Sequence, residues 1–161
     1  MVELLSAQII YQLSQIVGLY HQLVLVVAPS GAGKTAALRE VAGQTNGRYI
    51  NVNLELSQRL LALPQRQCPL QAPGLLGDIV QGDCEQVILL DNVELLFDVA
   101  LQLHPLRCLQ TLARRRTIVT AWNGTVTNGL LTYAAPGHTE YRRYPLANLL
   151  VVCPTTPARL F

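Results

Sequence analysis

The sequence predicts an α/β fold, a parallel five-stranded sheet held between two layers of helices in a three-layer sandwich. Three observations predict it. "LVLVVA" and "VILLD" are unbroken apolar runs of strand length bounded by turns, as expected of strands covered on both faces. Such runs alternate with segments of helical periodicity, the order that builds parallel sheets. A glycine-rich turn, "APSGAGKT", joins the first strand to the helix after it.

In chain order, Leu4, Leu5, Ile9, Ile10, Leu13, Ile16, Val17 and Tyr20 recur at helical spacing, so residues 2–20 read as an amphipathic helix. "QLVLVVA" is the first strand, and "GKTAALREVAGQ" a helix ending near Gly43. "RYINVNLE" reads as the second strand and "QVILLD" as the third. Between them, short helices "LSQRLLAL" and "GLLGDIVQG" flank "PQRQCPLQAPG", which reads as a loop. "PLRCLQTLARRR" is a helix entered at Pro105. "TIVTAWNG" is the fourth strand, ending in a turn. "LLTYAAPGHTEYRRYP" reads as two short extended pieces around Pro136 and Gly137, and "ANLLVV" as the fifth strand. Residues 1–153 then form one domain, residues 1–20 its N-terminal amphipathic helix, and residues 154–161 a flexible tail.

Half of the 161 residues are apolar and only 14% are charged, below the quarter or so that is usual. No apolar run approaches the roughly 20 residues of a membrane-spanning helix. A soluble protein is expected, with no membrane contact and part of its surface covered by partner subunits. The net charge of +2 is too small to argue for nucleic acid by itself. Cys68, Cys84, Cys108 and Cys153 lie far apart with no CxxC and no histidine pair, against a metal site or a secreted disulfide framework. Thiols in a reducing cytoplasm are the expectation. Glu3 stands where a signal peptide would carry basic residues.

Lys34 is the only lysine in the chain; the other basic side chains that are always charged are arginines. Its surroundings, Ala28 to Thr35, match the phosphate-binding loop G-x-x-x-x-G-K-[ST], with Ala28 in place of the first glycine. Gly31 and Gly33 let successive N–H groups turn into one anion-binding concavity. Pro29, Ser30, Ala32 and Ala36 complete the candidate binding segment. Lys34 reaches the β- and γ-phosphates, Thr35 offers a hydroxyl to Mg²⁺, and the helix begins there with its positive end toward the phosphates. An arginine's planar fork suits this crowded site less well than a compact ammonium. The pattern predicts a nucleoside triphosphate, ATP with Mg²⁺.

Asp91 ends the third strand, where an acid would hold Mg²⁺ through water. Many ATPases of this kind place a glutamate directly after it as general base; here Asn92 occupies that place. Asn92 can orient water but cannot accept its proton, so hydrolysis is expected to be slow without a partner. Glu94, two residues on, and Glu55, at the end of "NVNLE", are candidates for the base, and a surface-carboxylate reading stays open for both. Asn123, at the end of "TIVTAWN", either positions water near the γ-phosphate or forms an Asn-Gly turn. Arg114, Arg115 and Arg116 close a helix at the amino edge of the sheet, suiting a helix C-terminus or a nucleic-acid contact. Arg142 and Arg143 precede the last strand and cannot easily reach their own site. In a head-to-tail ring they would enter a neighbour's site as arginine fingers. His21, His104 and His138 show no ligand spacing.

"LVLVVAPSGAGKTAALREVA", "INVNLELSQRLL", "VILLDNVELLFD", "TIVTAWNG" and "LLTYAAPGHTEYRRYP" occur in an order and size that resemble BrxF, the small P-loop proteins of BREX phage-defence systems. The resemblance covers about residues 10–152, and its more particular segments are "LDNVELLF" and "AWNG…LTYA…EYRRYP". It implies an ATP-binding component of a bacterial system that restricts phage and modifies host DNA. The leading expectation is a cytoplasmic ATPase whose nucleotide state drives assembly with itself and with other BREX defence proteins, with DNA, touched directly or through them, a further candidate partner. The phosphate and metal roles carry over to Gly33, Lys34, Thr35 and Asp91. The strand order and the Asp-Asn-Val-Glu segment also resemble the core of AAA-type initiator ATPases. This narrows the expected fold to an AAA-like (ASCE) P-loop NTPase without a C-terminal lid domain. A nucleotide-stabilised adaptor with little hydrolysis of its own is the alternative, kept open by Asn92. A small-molecule kinase is disfavoured because no Arg-rich lid-like insertion follows the second or third strand.

Overall fold

The computed structural model describes residues 2–16, 18–81, 86–134 and 137–154. Five strands run parallel: β1 (Leu23–Ala28), β2 (Arg48–Asn51), β3 (Ile88–Asp91), β4 (Ile118–Thr127) and β7 (Leu150–Val152), in the order β2-β3-β4-β1-β7. Two more, β5 (Leu130–Tyr133) and β6 (Arg142–Pro145), continue the sheet antiparallel from the far half of β4. The predicted parallel sheet is present, and the antiparallel extension is an addition to it.

All six residues of β1 are buried, because each face is covered. Leu23, Leu25 and Val27 belong to one core, with α3 (Val52–Leu60), α4 (Cys68–Ile79) and α5 (Pro105–Leu112). Val24 and Val26 belong to a second core, with α1 (Val2–Gln15) and α2 (Lys34–Thr45). Period-2 alternation deals successive side chains to the two faces, so a strand in the middle layer is almost wholly apolar; buried Thr120 of β4 is an exception. Each such buried side chain contributes about 1.5–3 kcal/mol. None of the described helices is long and apolar enough to cross a membrane.

Besides α5, which stops at Leu112 short of the arginines, four elements differ from expectation, each for a local reason. α1 ends at Gln15 rather than near residue 20; Gly18 is left-handed at φ 90° and the Leu19 N–H closes a turn on the Ile16 carbonyl at 3.1 Å. β2 stops at Asn51, whose side chain accepts the Leu54 N–H at 3.1 Å and so caps α3. The stretch "VNLE" is therefore helix, not strand. The expected loop "PQRQCPLQAPG" is mostly α4: Pro69 sits in its first turn, where no N–H is needed. Pro73 lies inside α4 and removes one backbone bond, but Ala72, Leu76 and Ile79 present a fully buried stripe that holds the helix in place.

The fourth difference is at "NGTVTNG". β4 does not turn at Asn123 and Gly124; it continues to Thr127, and the hairpin turns at Asn128 (φ 53°) and Gly129 (φ 76°). Two consecutive left-handed residues make the two-residue turn that suits strand twist. Gly124 is a glycine for another reason. A Cβ there would meet the Thr132 carbonyl oxygen at 1.7 Å, the same oxygen that accepts the Trp122 Nε1–H at 2.9 Å. Gly124→Ala is expected to push β5 away and cost about 1–3 kcal/mol, as overpacking does. Chemical denaturation followed by the emission of Trp122, the single tryptophan, measures it; an unchanged midpoint would refute the close approach.

Candidate functional site

The turn between β1 and α2 approaches the carboxyl ends of the parallel strands, the edge where α/β sheets place ligands. Gly31 (φ 83°) and Gly33 (φ 89°) both take the left-handed conformation that side chains resist. Gly33 caps α2 without a side-chain bond, so the first-turn N–H groups stay available to an anion. Lys34 is 6% exposed, and its Nζ donates to the carbonyls of Ala28 (2.8 Å) and Pro29 (2.7 Å). Burial pulls its pKa down, while the carboxylates of Asp91 and Glu94 push it back up. The missing first glycine has its explanation here: what Lys34 uses at position 28 is a carbonyl, and any small residue supplies one.

Asp91 is 3% exposed at the end of β3. Its Oδ2 accepts from Thr35 Oγ1 and from Tyr49 Oη, both at 2.6 Å, and its Oδ1 accepts the Asn92 N–H at 2.9 Å. Asn92 is left-handed (φ 53°), and its carbonyl accepts the Asn53 N–H at 2.9 Å. The Asn53 side chain in turn accepts the Leu95 N–H at 3.0 Å. This clamp turns the chain back on itself. Glu94, opening a 3-10 turn over Glu94–Phe97, therefore points its Oε1 at Asn123 Nδ2, which donates at 2.6 Å. The other oxygen, Glu94 Oε2, is buried with no hydrogen-bond partner. Asn123 pairs in register with Ala28, which brings Glu94 to the mouth of the loop.

These groups line one cleft of about 440 Å³, with Ser30, Gly31, Gly33, Lys34, Thr35, Ala36, Arg39, Asp91, Asn92, Glu94 and Asn123 in its wall. Pro29 contributes its carbonyl to Lys34, and Ala32 completes the turn. A cavity of about 600 Å³ opens at the opposite edge, between Tyr20, Leu23, Gln110 and Leu149. It is the larger of the two but is lined mainly by apolar side chains and holds no lysine, arginine or glycine-rich turn.

The structure separates the remaining candidates. Glu55 lies within α3 and pairs with Arg59 of the same helix at 3.1 Å; it lines no part of the cleft, which removes it as a base. Asn123 is a strand residue bonded to Glu94, not the start of a turn. Arg142 and Arg143 lie on β6, paired with Tyr133 and Thr132, and are absent from the cleft of their own chain. Arg142 donates to the Tyr141 carbonyl at 3.2 Å, and Arg143 is exposed. α5 ends at Leu112, with Ala113 as its cap, so Arg114 to Arg116 follow the helix in a turn rather than close it; Arg114 stacks over the Tyr20 ring at 5.2 Å, at the amino edge of the sheet. Cys68, Cys108 and Cys153 are free thiols; Cys84 and the predicted tail from residue 155 onward lie outside the described residues.

Two residues beside the loop escape a reading of the sequence: Arg39, in the cleft wall, and Tyr49, which reaches Asp91 from β2. Tyr49 precedes the end of β2 by two residues and Arg39 follows Thr35 by four, spacings that place both on the side of the loop. Glu94 also carries an unexpected attachment. Phe97, one turn on, stacks face to face on Tyr133 of β5 at 3.5 Å, and meets Trp122 edge-on at 5.1 Å. The Tyr133 phenol is pushed up to about 12 by burial first and by Glu94 and Glu140 after it.

No family model matches the chain. No curated protein matches it either. Among solved structures, that of C. elegans PCH-2 is similar over 94% of this chain at 13% identity and a TM-score of 0.39; the chain spans 41% of that protein's length.

Proposed function

We propose that the chain is an AAA-like P-loop ATPase that binds Mg-ATP in the cleft between the 29–33 turn and β3. One observation carries the reading: a lysine, a hydroxyl, two carboxylates and an asparagine, scattered from residue 34 to residue 123, meet at the mouth of a loop with two left-handed glycines. In this reading Lys34 leaves the Ala28 and Pro29 carbonyls for the β- and γ-phosphate oxygens, and the first-turn amides of α2 hold the β-phosphate. Mg²⁺ fits Thr35 directly and Asp91 through water, and when bound it would neutralise charge on the phosphates. Glu94 is the base. Its carboxylate takes a proton from water as that water's oxygen bonds to the γ-phosphorus and the bond to the β-phosphate oxygen breaks. Asn123 holds the carboxylate in place.

The resemblance to the BrxF proteins extends the proposal to a bacterial phage-defence component that assembles with itself and with partner proteins on DNA. Asn92, where many such enzymes carry their base, supports a second reading in which nucleotide holds an adaptor together with little turnover. Two measurements separate them. Calorimetric titration with Mg-ATP tests binding, and phosphate release with and without DNA and partners tests turnover. Tight binding with no release under any condition favours the adaptor; no heat at all overturns both.

Assembly has its own test. Arg142 is absent from its own cleft but sits on a hairpin that prolongs β4 beyond Asn123, so it is the candidate to complete a neighbour's site. Mixing Arg142→Ala with Asp91→Ala protein is expected to recover part of the lost turnover at mixed interfaces. No recovery at any ratio would remove Arg142 from that role.

A further inference from the structure

We propose that Tyr49 is a positioning residue, whose hydroxyl aims the Asp91 carboxylate at the divalent metal. The proposal rests on the nucleotide reading above, since the metal is the one that accompanies the nucleotide. A carboxylate offers about four acceptor sites. On Asp91, Thr35 and Tyr49 occupy Oδ2 and the Asn92 N–H takes one site of Oδ1. One site remains, on Oδ1, and Tyr49 determines which it is. Without its hydroxyl the carboxylate keeps only Thr35 on Oδ2 and the Asn92 N–H on Oδ1, and its orientation is less tightly fixed.

The strand geometry places Tyr49 there. It pairs in register with Leu89, and two residues further along β3 advances about 6.6 Å on the same face to Asp91, within reach of a tyrosine ring. Arg39 covers that ring, its guanidinium carbon 4.7 Å from the centroid, so the ring is held between α2 and the sheet.

Tyr49→Phe removes the hydroxyl and leaves the ring under Arg39. Mn²⁺ is titrated into the full chain with ADP present, and free Mn²⁺ is read by electron paramagnetic resonance. ADP binding is measured separately in chelator. Loss of a partner that orients a metal-binding group weakens metal affinity by roughly 10- to 100-fold. The variant is expected to show that weakening while metal-free ADP binding and the Tm stay at the wild-type values. A purely structural tyrosine would instead lower Tm and weaken both kinds of binding together. Wild-type Mn²⁺ affinity in the variant, or a tighter one, overturns the proposal. If the wild-type chain itself binds neither ADP nor Mn²⁺, the nucleotide reading fails with it, so the two failures are told apart by the wild-type titration.

Discussion

Lys34→Ala is expected to abolish measurable Mg-ATP binding at micromolar protein and, with it, phosphate release. Truncating one partner of a buried, hydrogen-bonded charge pair costs about 2–5 kcal/mol, which is roughly 30-fold to several thousand-fold in Kd. The substitution should not unfold the chain. The ammonium is desolvated in its resting position, and its removal leaves two carbonyls at a loop that water reaches. Equal Tm values with lost titration heat are therefore the expected pair of results. Lys34→Arg should fail as well, because a planar fork cannot follow the compact path past the Ala28 and Pro29 carbonyls. Heat of binding equal to wild type in Lys34→Ala would place the nucleotide elsewhere.

Glu94→Gln is expected to separate binding from chemistry. The amide keeps an oxygen for Asn123 but cannot take a proton, so Mg-ATP should bind as before while phosphate release falls about 10²- to 10⁴-fold, the usual contribution of a general base. Single-turnover phosphate release with saturating ATP measures this without interference from product release. A rate unchanged by the substitution would show that Glu94 is not the base, and with Glu55 paired to Arg59 inside α3 the adaptor reading would then gain.

Much of the fold was legible because burial on both faces leaves an unmistakable pattern. "LVLVVA" has no polar position to confuse it with anything else, and an apolar run ending in Asp91 could only finish at a wet edge. The loop was legible for a similar reason: two glycines and the sole lysine at a fixed spacing have few physical uses. What escaped depended on competition between local signals. "RYINVNLE" contains enough β-branched residues for a long strand, and only the side chain of Asn51, bonding to the Leu54 N–H, decides that a helix begins. Three prolines in "PQRQCPLQAP" argue for a loop, yet one of them sits where a helix tolerates proline and another is outweighed by the buried stripe. The sequence holds "NG" at residues 123–124 and again at 128–129, identical as letters. Only the approach of Thr132 to Gly124 tells the strand pair from the turn. The role of Tyr49 needed the register of β2 against β3, which spacing within one strand does not contain.

A chain with a single, buried lysine has a practical corollary. Its folded surface, as far as it is described, displays no side-chain amine for acylating reagents, amine crosslinkers or enzymatic lysine modification. Any acyl mark found on Lys34 must have been made while the 29–33 turn stood open. The rate of that marking is thus a clock for loop opening, and a bound triphosphate should slow it.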